Sequence, residues 1–175
     1  MIKTIPKTRI IVLQRMITMK LIKYTLLALA LFAFSLTYAT GPGPVFKDAS
    51  LNTLWQNYDG LEKAIFSANV ATAKASASKL ADEAKTMKNF PAIATEAQAI
   101  AAATTIDAQR KHFALLSKLL TPVFKSSGLS SGSLYVAHCP MFNGGSDWLT
   151  AEKEVKNPFY GSQMPECGKI TEAIK

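Results

Sequence analysis

Two short segments near the C-terminus carry most of the soft-ligand chemistry of this chain. The first, HCPM, runs from His138 to Met141, and the second, MPEC, runs from Met164 to Cys167. Together they contain both cysteines of the sequence and two of its six methionines. Thiolate and thioether sulfurs are soft ligands that favour Cu(I) over hard cations. If the two segments meet in the fold, they form a sulfur site for a soft metal ion.

The proline in each segment restricts how the sulfurs are presented. In MPEC the proline suits the second position of a type I turn, which brings Met164 and Cys167 close together. In HCPM the proline holds an extended backbone and separates Cys139 from Met141 by one rigid residue. Adjacent residues of a strand point to opposite faces, so His138 joins only if the chain turns at Cys139. The candidate metal ligands are therefore Cys139, Met141, Met164 and Cys167, with His138 as a further contact under that condition.

A disulfide explains the same two cysteines equally well. In an oxidising compartment Cys139 and Cys167 could pair. Their bond would close a loop of about 29 residues and stabilise the fold by ~3–4 kcal/mol through lost chain entropy. The two methionines would then fill gaps in the core. The residue types alone leave a metal site, a disulfide and free thiols open, and one cysteine pair could alternate between the first two states.

Other metal-binding and catalytic arrangements have little support. The helical part of the chain offers one histidine, His112, and the sequence has neither CxxCH nor a paired ExxH motif, so haem and di-iron sites are not indicated. Zinc usually takes more Cys or His and does not favour methionine. A nucleophile built from Cys139 and His138 would have its two side chains on opposite faces of a strand. We therefore expect a protein that is not an enzyme.

The first 39 residues indicate an export signal. They carry six Lys or Arg and no acid, and an uncharged run of about 16 residues follows Lys23. That run is short for a membrane span, which needs roughly 20 residues, and the small residue Ala39 suits a signal peptidase. A conventional signal begins at Met19, which indicates that residues 1–18 are a misassigned start. We expect a periplasmic or secreted protein; an uncleaved anchor helix is the alternative.

The export signal also accounts for the basic balance of the chain. The whole sequence has 20 Lys and Arg against 12 Asp and Glu, a net charge of +8. Because six of these bases and none of the acids lie in residues 1–39, the remainder has 14 bases against 12 acids, or +2. A nucleic-acid-binding domain needs a basic patch on its folded surface. We therefore expect no nucleic-acid partner, and no membrane span after signal cleavage.

The remainder is one domain whose composition changes near residue 128. Residues 40–47 are a flexible leader, and residues 48–127 are rich in Ala, Leu, Lys and Glu. Short links favour antiparallel neighbours, so we expect a mainly α fold, an antiparallel up-down four-helix bundle. Residues 128–175 are expected to form an irregular tail, with at most a short two-stranded pairing, that packs on the bundle. Apolar periodicity predicts the four helices at about 48–66, 70–88, 92–104 and 106–126.

Individual residues and short segments make the predicted helices and tail more specific. Asn69 suits the N-cap of the second helix, and Pro122 should bend or shorten the last helix. In the tail, SLYVAH is β-prone, GKITEAIK suits a short strand, and TAEKEV, residues 150–155, suits one or two helical turns. The side chains expected to anchor the tail are the aromatic ones, Trp148, Phe159 and Tyr160.

The C-terminal motifs resemble those of a family of exported bacterial proteins of unknown function. The resemblance covers about residues 45–175 and rests on IDAQRKHFALLSKLLTPVFKSSG followed by YVAHCPMFNGGSDWLTAEKEVKNPFYGSQMPECGKITEAIK. Members carry H/Y-C-P-M, then G-x-x-W-L-S/T, then E-I/V-x-N-P-Y/F-x-G-x-x-M-x-x-C-G. They occur alone or fused to the C-terminus of CusB-like membrane-fusion subunits of heavy-metal efflux pumps.

The resemblance implies that the protein handles copper or silver in the periplasm. The motif positions of the family correspond here to Cys139, Met141, Met164 and Cys167, with His138 preceding them, and the resemblance implies that they bind Cu(I) or Ag(I). It also implies a heavy-metal efflux membrane-fusion protein as partner. HCPM is also similar to a short Y-x-C-P-M-H heavy-metal-binding module, but the position after C-P-M is an aromatic residue here. The alternative functions are a non-catalytic adaptor stapled by a Cys139–Cys167 disulfide and, third, a thiol-redox enzyme using Cys139.

Overall fold

A computed structural model describes residues 43–175 of the chain; the predicted export signal, residues 1–39, lies outside the described residues. This part of the protein is mainly helical, with four α-helices and two small antiparallel sheets. None of the helices in this range is long and apolar enough to cross a membrane. The helices are α1 Ser50–Phe66, α2 Val70–Thr86, α3 Pro91–Ala102 and α4 Ile106–Ser127. The strands are β1 Val45–Phe46, β2 Leu129–Ser131, β3 Leu134–Cys139, β4 Ser146–Thr150 and β5 Lys169–Ile174.

The helix boundaries follow from local capping chemistry. The side chain of Asn69 accepts a hydrogen bond from the backbone N–H of Thr72 at 3.0 Å and caps α2. Thr105 caps α4 in the same way. Pro91 stands at the start of α3, where a missing N–H costs nothing. The four helices predicted from the sequence, and the N-cap at Asn69, are confirmed.

Pro122 does not shorten α4, so the predicted shortening is wrong, while the predicted bend stays a prediction. The helix continues past Pro122 to Ser127. The proline is exposed to solvent, so the carbonyl that loses its helical hydrogen bond can be hydrated instead. Buried residues before and after it, Leu120 and Phe124, keep packing on the core and hold this last turn in place.

The helical core is formed by one apolar face from each helix. On α1 the buried side chains are large and include Leu54, Trp55 and Tyr58, whereas α2 contributes small ones such as Ala73 and Ala77. The small residues let neighbouring helices approach closely. Contacts are most extensive between successive helices, α1 with α2, α2 with α3 and α3 with α4.

The C-terminal part is more regular than expected. Strands β4, β3 and β5 form a three-stranded antiparallel sheet with β3 in the centre, in place of the expected irregular tail with at most a two-stranded pairing. The β-prone SLYVAH and GKITEAIK segments form β3 and β5. The expected helical turns at residues 150–155 are absent from the described chain, because Thr150 pairs with Tyr135 in the β-ladder. Strand pairing there prevails over local helix propensity.

The three-stranded sheet is attached to the helices by buried polar and aromatic contacts. The Tyr58 hydroxyl of α1 accepts a hydrogen bond from the Leu149 N–H of β4 at 3.1 Å and bonds Ser117 of α4 at 2.7 Å. Trp148 and Phe159 are almost fully buried, and their rings meet edge to face with centroids 5.7 Å apart. Both residues therefore anchor this region as predicted.

Candidate metal centre

Cys139 is the last residue of β3 and is fully buried. Because side chains alternate along a strand, Cys139 shares a face with Ala137, whose cross-strand partner is the buried Trp148. The thiol thus lies at the end of the central strand, next to the aromatic core of the C-terminal region.

Cys167 is brought to the same place by a turn and by strand register. The Cys167 N–H donates to the Met164 carbonyl at 3.3 Å, which confirms the expected turn at MPEC. Two residues later β5 begins, and its first residue, Lys169, lies opposite His138 in antiparallel pairing with β3. This register sets Cys167 beside the end of β3, where Cys139 lies.

Three sulfur atoms come together in this way. The Cys167 Sγ lies 3.7 Å from the Met141 Sδ. Partial burial and the adjacent Cys139 thiol raise the pKa of the Cys167 thiol above its ordinary value. Both cysteines are free thiols. The two predicted segments HCPM and MPEC therefore meet through Cys139, Met141 and Cys167.

Within residues 43–175, the other two predicted ligands, Met164 and His138, are not seen in contact with these sulfurs. Met164 is half-buried at the first position of the turn, and the backbone hydrogen bond to Cys167 keeps it beside the site. Its role as a ligand stays a prediction. His138 is paired instead with the Asp147 side chain, 2.7 Å from its Nδ1, on the neighbouring strand. As adjacent residues of β3, His138 and Cys139 point to opposite faces of the sheet.

A glycine allows the close approach of the two strands. Gly168 has a φ of +140°, and a Cβ at this position would lie 2.7 Å from the His138 carbonyl oxygen and 3.2 Å from the Trp148 ring. Any side chain would push the chain away from β3. The residue after Cys167 must therefore be glycine for the two cysteines to be neighbours.

Asn157 supports the MPEC turn through hydrogen bonds, a role that was not predicted from the sequence. This fully buried side chain donates from Nδ2 to the Cys167 carbonyl at 2.6 Å and accepts at Oδ1 from the Phe159 N–H at 2.9 Å. Its backbone N–H donates to the Pro165 carbonyl at 2.7 Å. The available signal was the Asn-Pro sequence, because asparagine bonds to its own backbone two residues on in such turns.

Arg110 attaches the same turn region to the helices and was also missed. It is 8% exposed, and its Nε donates to the Pro158 carbonyl at 3.1 Å. Gly161 lies against the end of α1, where a Cβ would be 2.5 Å from the Phe66 carbonyl oxygen. The available signal was an arginine three residues before Phe113, on the buried face of α4.

Phe142 connects the two halves of the site. Its ring stacks on Phe159, with centroids 4.5 Å apart and an interplanar angle of 11°. It also meets Tyr160 edge to face at 6.2 Å. The residue after Met141 is thus an aromatic anchor that fixes the HCPM segment on the turn that supports Cys167.

The donor set decides which metals suit the site. Within residues 43–175, no three side chains among His, Cys, Asp and Glu converge to hold a metal ion. The site offers two thiols and a thioether instead. This donor set fits a soft monovalent cation such as Cu(I) or Ag(I) rather than zinc or a hard cation.

One family is similar in sequence to part of the chain. Residues 54–132 match the family described as "Protein of unknown function (DUF3347)". The match spans the helices from within α1 through β2, and it ends before the sulfur-bearing strands. Over these residues the chain is therefore similar to a family of unknown function. No curated protein and no solved structure matches the chain.

Proposed function

We propose that the protein binds Cu(I) or Ag(I) through Cys139, Cys167 and Met141, with Met164 as a fourth ligand. The observation that carries this proposal is the 3.7 Å separation of the Cys167 and Met141 sulfurs, with the Cys139 thiol beside them. In the proposed metal-bound state these side chains shift so that the three sulfurs bind one ion. Each cysteine loses its proton to solvent when it binds the metal.

The proposed setting is the periplasm, in the service of heavy-metal efflux or resistance. The basic, acid-free first 39 residues support export. The resemblance of the HCPM and MPEC motifs to proteins fused with efflux subunits supports a membrane-fusion protein as partner. Metal would pass to that partner by exchange between sulfur ligands, so that one bond forms before another breaks.

We also infer that α1 to α4 form an antiparallel up-down bundle. The links between helices are short, residues 67–69, 87–90 and 103–105. Contacts are most extensive between helices adjacent in sequence. Both features are typical of up-down connections.

A competitive Cu(I) titration tests the metal proposal. The full chain, as the expressing cell processes it, is reduced and titrated against a coloured Cu(I) chelator. We expect one Cu(I) per chain, and a loss of affinity of about 100-fold or more in the Cys139→Ser/Cys167→Ser variant, because both thiolates are removed. Equal binding by the two proteins would overturn the proposal.

A structural disulfide is the second candidate, favoured by the adjacency of the two thiols at the end of β3. Its formation would remove two protons and pass two electrons to an oxidant such as the disulfide of a thiol oxidoreductase. The mass gained on alkylation, with and without prior reduction, measures it. In an adaptor that uses the disulfide alone, the cysteines are fully oxidised on isolation and the reduced protein takes up no Cu(I).

A further inference from the structure

The three neighbouring sulfurs differ sharply in their access to solvent. Met141 is 59% exposed, although large apolar side chains are usually covered. Cys167 is half-buried, and Cys139 at the end of β3 has no exposed surface. By the exposure of whole residues, the three sulfur-bearing residues thus form a series that leads from solvent to the core.

We propose that Met141 is the receiving ligand, the first sulfur to bind an incoming Cu(I), which it passes to Cys167 and then to Cys139. This inference rests on the proposed metal binding and adds a division of roles among the ligands. Met141 then controls the rate of metal uptake and release, while the two cysteines supply most of the affinity.

The chemistry of the three groups supports this order. A thioether carries no proton, so it can bind Cu(I) by displacing one ligand of the donor with no other change. Each thiol must release a proton as it binds. In the transfer the donor ligands leave with their own electron pairs, two protons pass to solvent, and copper stays Cu(I) throughout.

The surroundings of Met141 fix it in an exposed position. Pro140 restricts the backbone before it, and Phe142 after it is stacked on the buried Phe159 ring at 4.5 Å. The short separation from Cys167, 3.7 Å between the sulfurs, lets the ion be shared during transfer. A donor cannot touch the buried Cys139 directly while the sheet is intact.

Stopped-flow transfer tests the role of Met141. The reduced full chain, as the expressing cell processes it, is mixed with the coloured Cu(I) complex of bathocuproine disulfonate, and the loss of colour is followed. Met141→Leu keeps side-chain volume but removes the sulfur. Met87→Leu is the matched control, because Met87 packs against the helical core.

The expected result is a change in both rates. Loss of an ordinary ligand acts mainly by speeding the release of the metal. For a receiving ligand we expect instead that Met141→Leu takes up Cu(I) about tenfold more slowly and also releases it more slowly to excess chelator. Met87→Leu should behave as the unaltered protein. Wild-type uptake by Met141→Leu, with or without faster release, overturns this inference alone. Failure of the unaltered protein to take up Cu(I) overturns the proposed function as well.

Discussion

At the scale of single residues, the site depends on groups that bear no sulfur. Asn157 spans the turn with one hydrogen bond to the Cys167 carbonyl and another to the Phe159 N–H. Gly168 lets the strand that follows Cys167 lie within contact of the His138 carbonyl. Since no single residue brings the sulfurs together, substitutions away from them should alter metal binding.

Substitution of Gly168 tests this dependence. In Gly168→Ala the new Cβ would meet the His138 carbonyl oxygen at 2.7 Å, and the backbone φ of +140° is strained for alanine. We expect a loss of stability of about 1–3 kcal/mol and weaker Cu(I) binding, because the Cys167 segment must move away from β3. Urea unfolding and chelator competition measure the two effects.

The matched control for this substitution is Gly60→Ala. Gly60 lies inside α1, where a Cβ would have only ordinary contact, 3.6 Å from the Ser76 hydroxyl. We expect a gain of about 0.5–1 kcal/mol from the higher helix propensity of alanine and unchanged Cu(I) affinity. Unchanged Cu(I) affinity in Gly168→Ala would show that close strand contact is not needed to join the two cysteines.

At the scale of elements, a buried acid on α1 should make the stability of the fold depend on pH. Burial, together with the negative charges of Asp59 and Glu152, raises the pKa of Glu62 from 4.5 to about 8; Lys63 and Lys156 oppose the shift. Between about pH 4.5 and 8, Glu62 is therefore protonated in the folded protein, whereas the same side chain is ionised in the unfolded chain. Its contribution to stability is fully present below about pH 4.5 and is lost as the pH rises through about 8.

Replacement of this acid by its neutral amide should remove that dependence. The unaltered protein should lose about 1.4 kcal/mol of unfolding free energy per pH unit between pH 5 and 8 from this group. Glu62→Gln should flatten the slope and be the more stable protein at pH 8. Urea unfolding at several pH values measures it, with the exposed Glu154→Gln as control. Parallel slopes for all three proteins would contradict the assignment.

The helices and the sheet also differ in how well they could be predicted from the sequence. Apolar spacing and the cap at Asn69 are local signals, so the four helices could be predicted. The three-stranded sheet pairs β3 with β5, residues separated by a long connection, and no local signal encodes that pairing. For the same reason residues 150–155 were taken for helical turns, although Thr150 belongs to the sheet.

At the scale of the whole molecule, the helices and the candidate sulfur site lie in different stretches of the sequence. The family match over residues 54–132 covers most of the helical part, and both sulfur segments follow it. The sequence predicted that HCPM and MPEC carry the candidate ligands and that His138 points away from Cys139. It could not predict Asn157 and Arg110 as supports, because their roles depend on contacts between distant parts of the chain.

The central claim, a sulfur-only site for a soft metal, is tested most directly by X-ray absorption at the copper edge of the Cu(I)-loaded protein. We predict a first coordination shell made of at least three sulfur atoms, with one fewer in Met141→Leu. A shell of nitrogen or oxygen atoms, or a shell unchanged in the Cys139→Ser/Cys167→Ser variant, would contradict it.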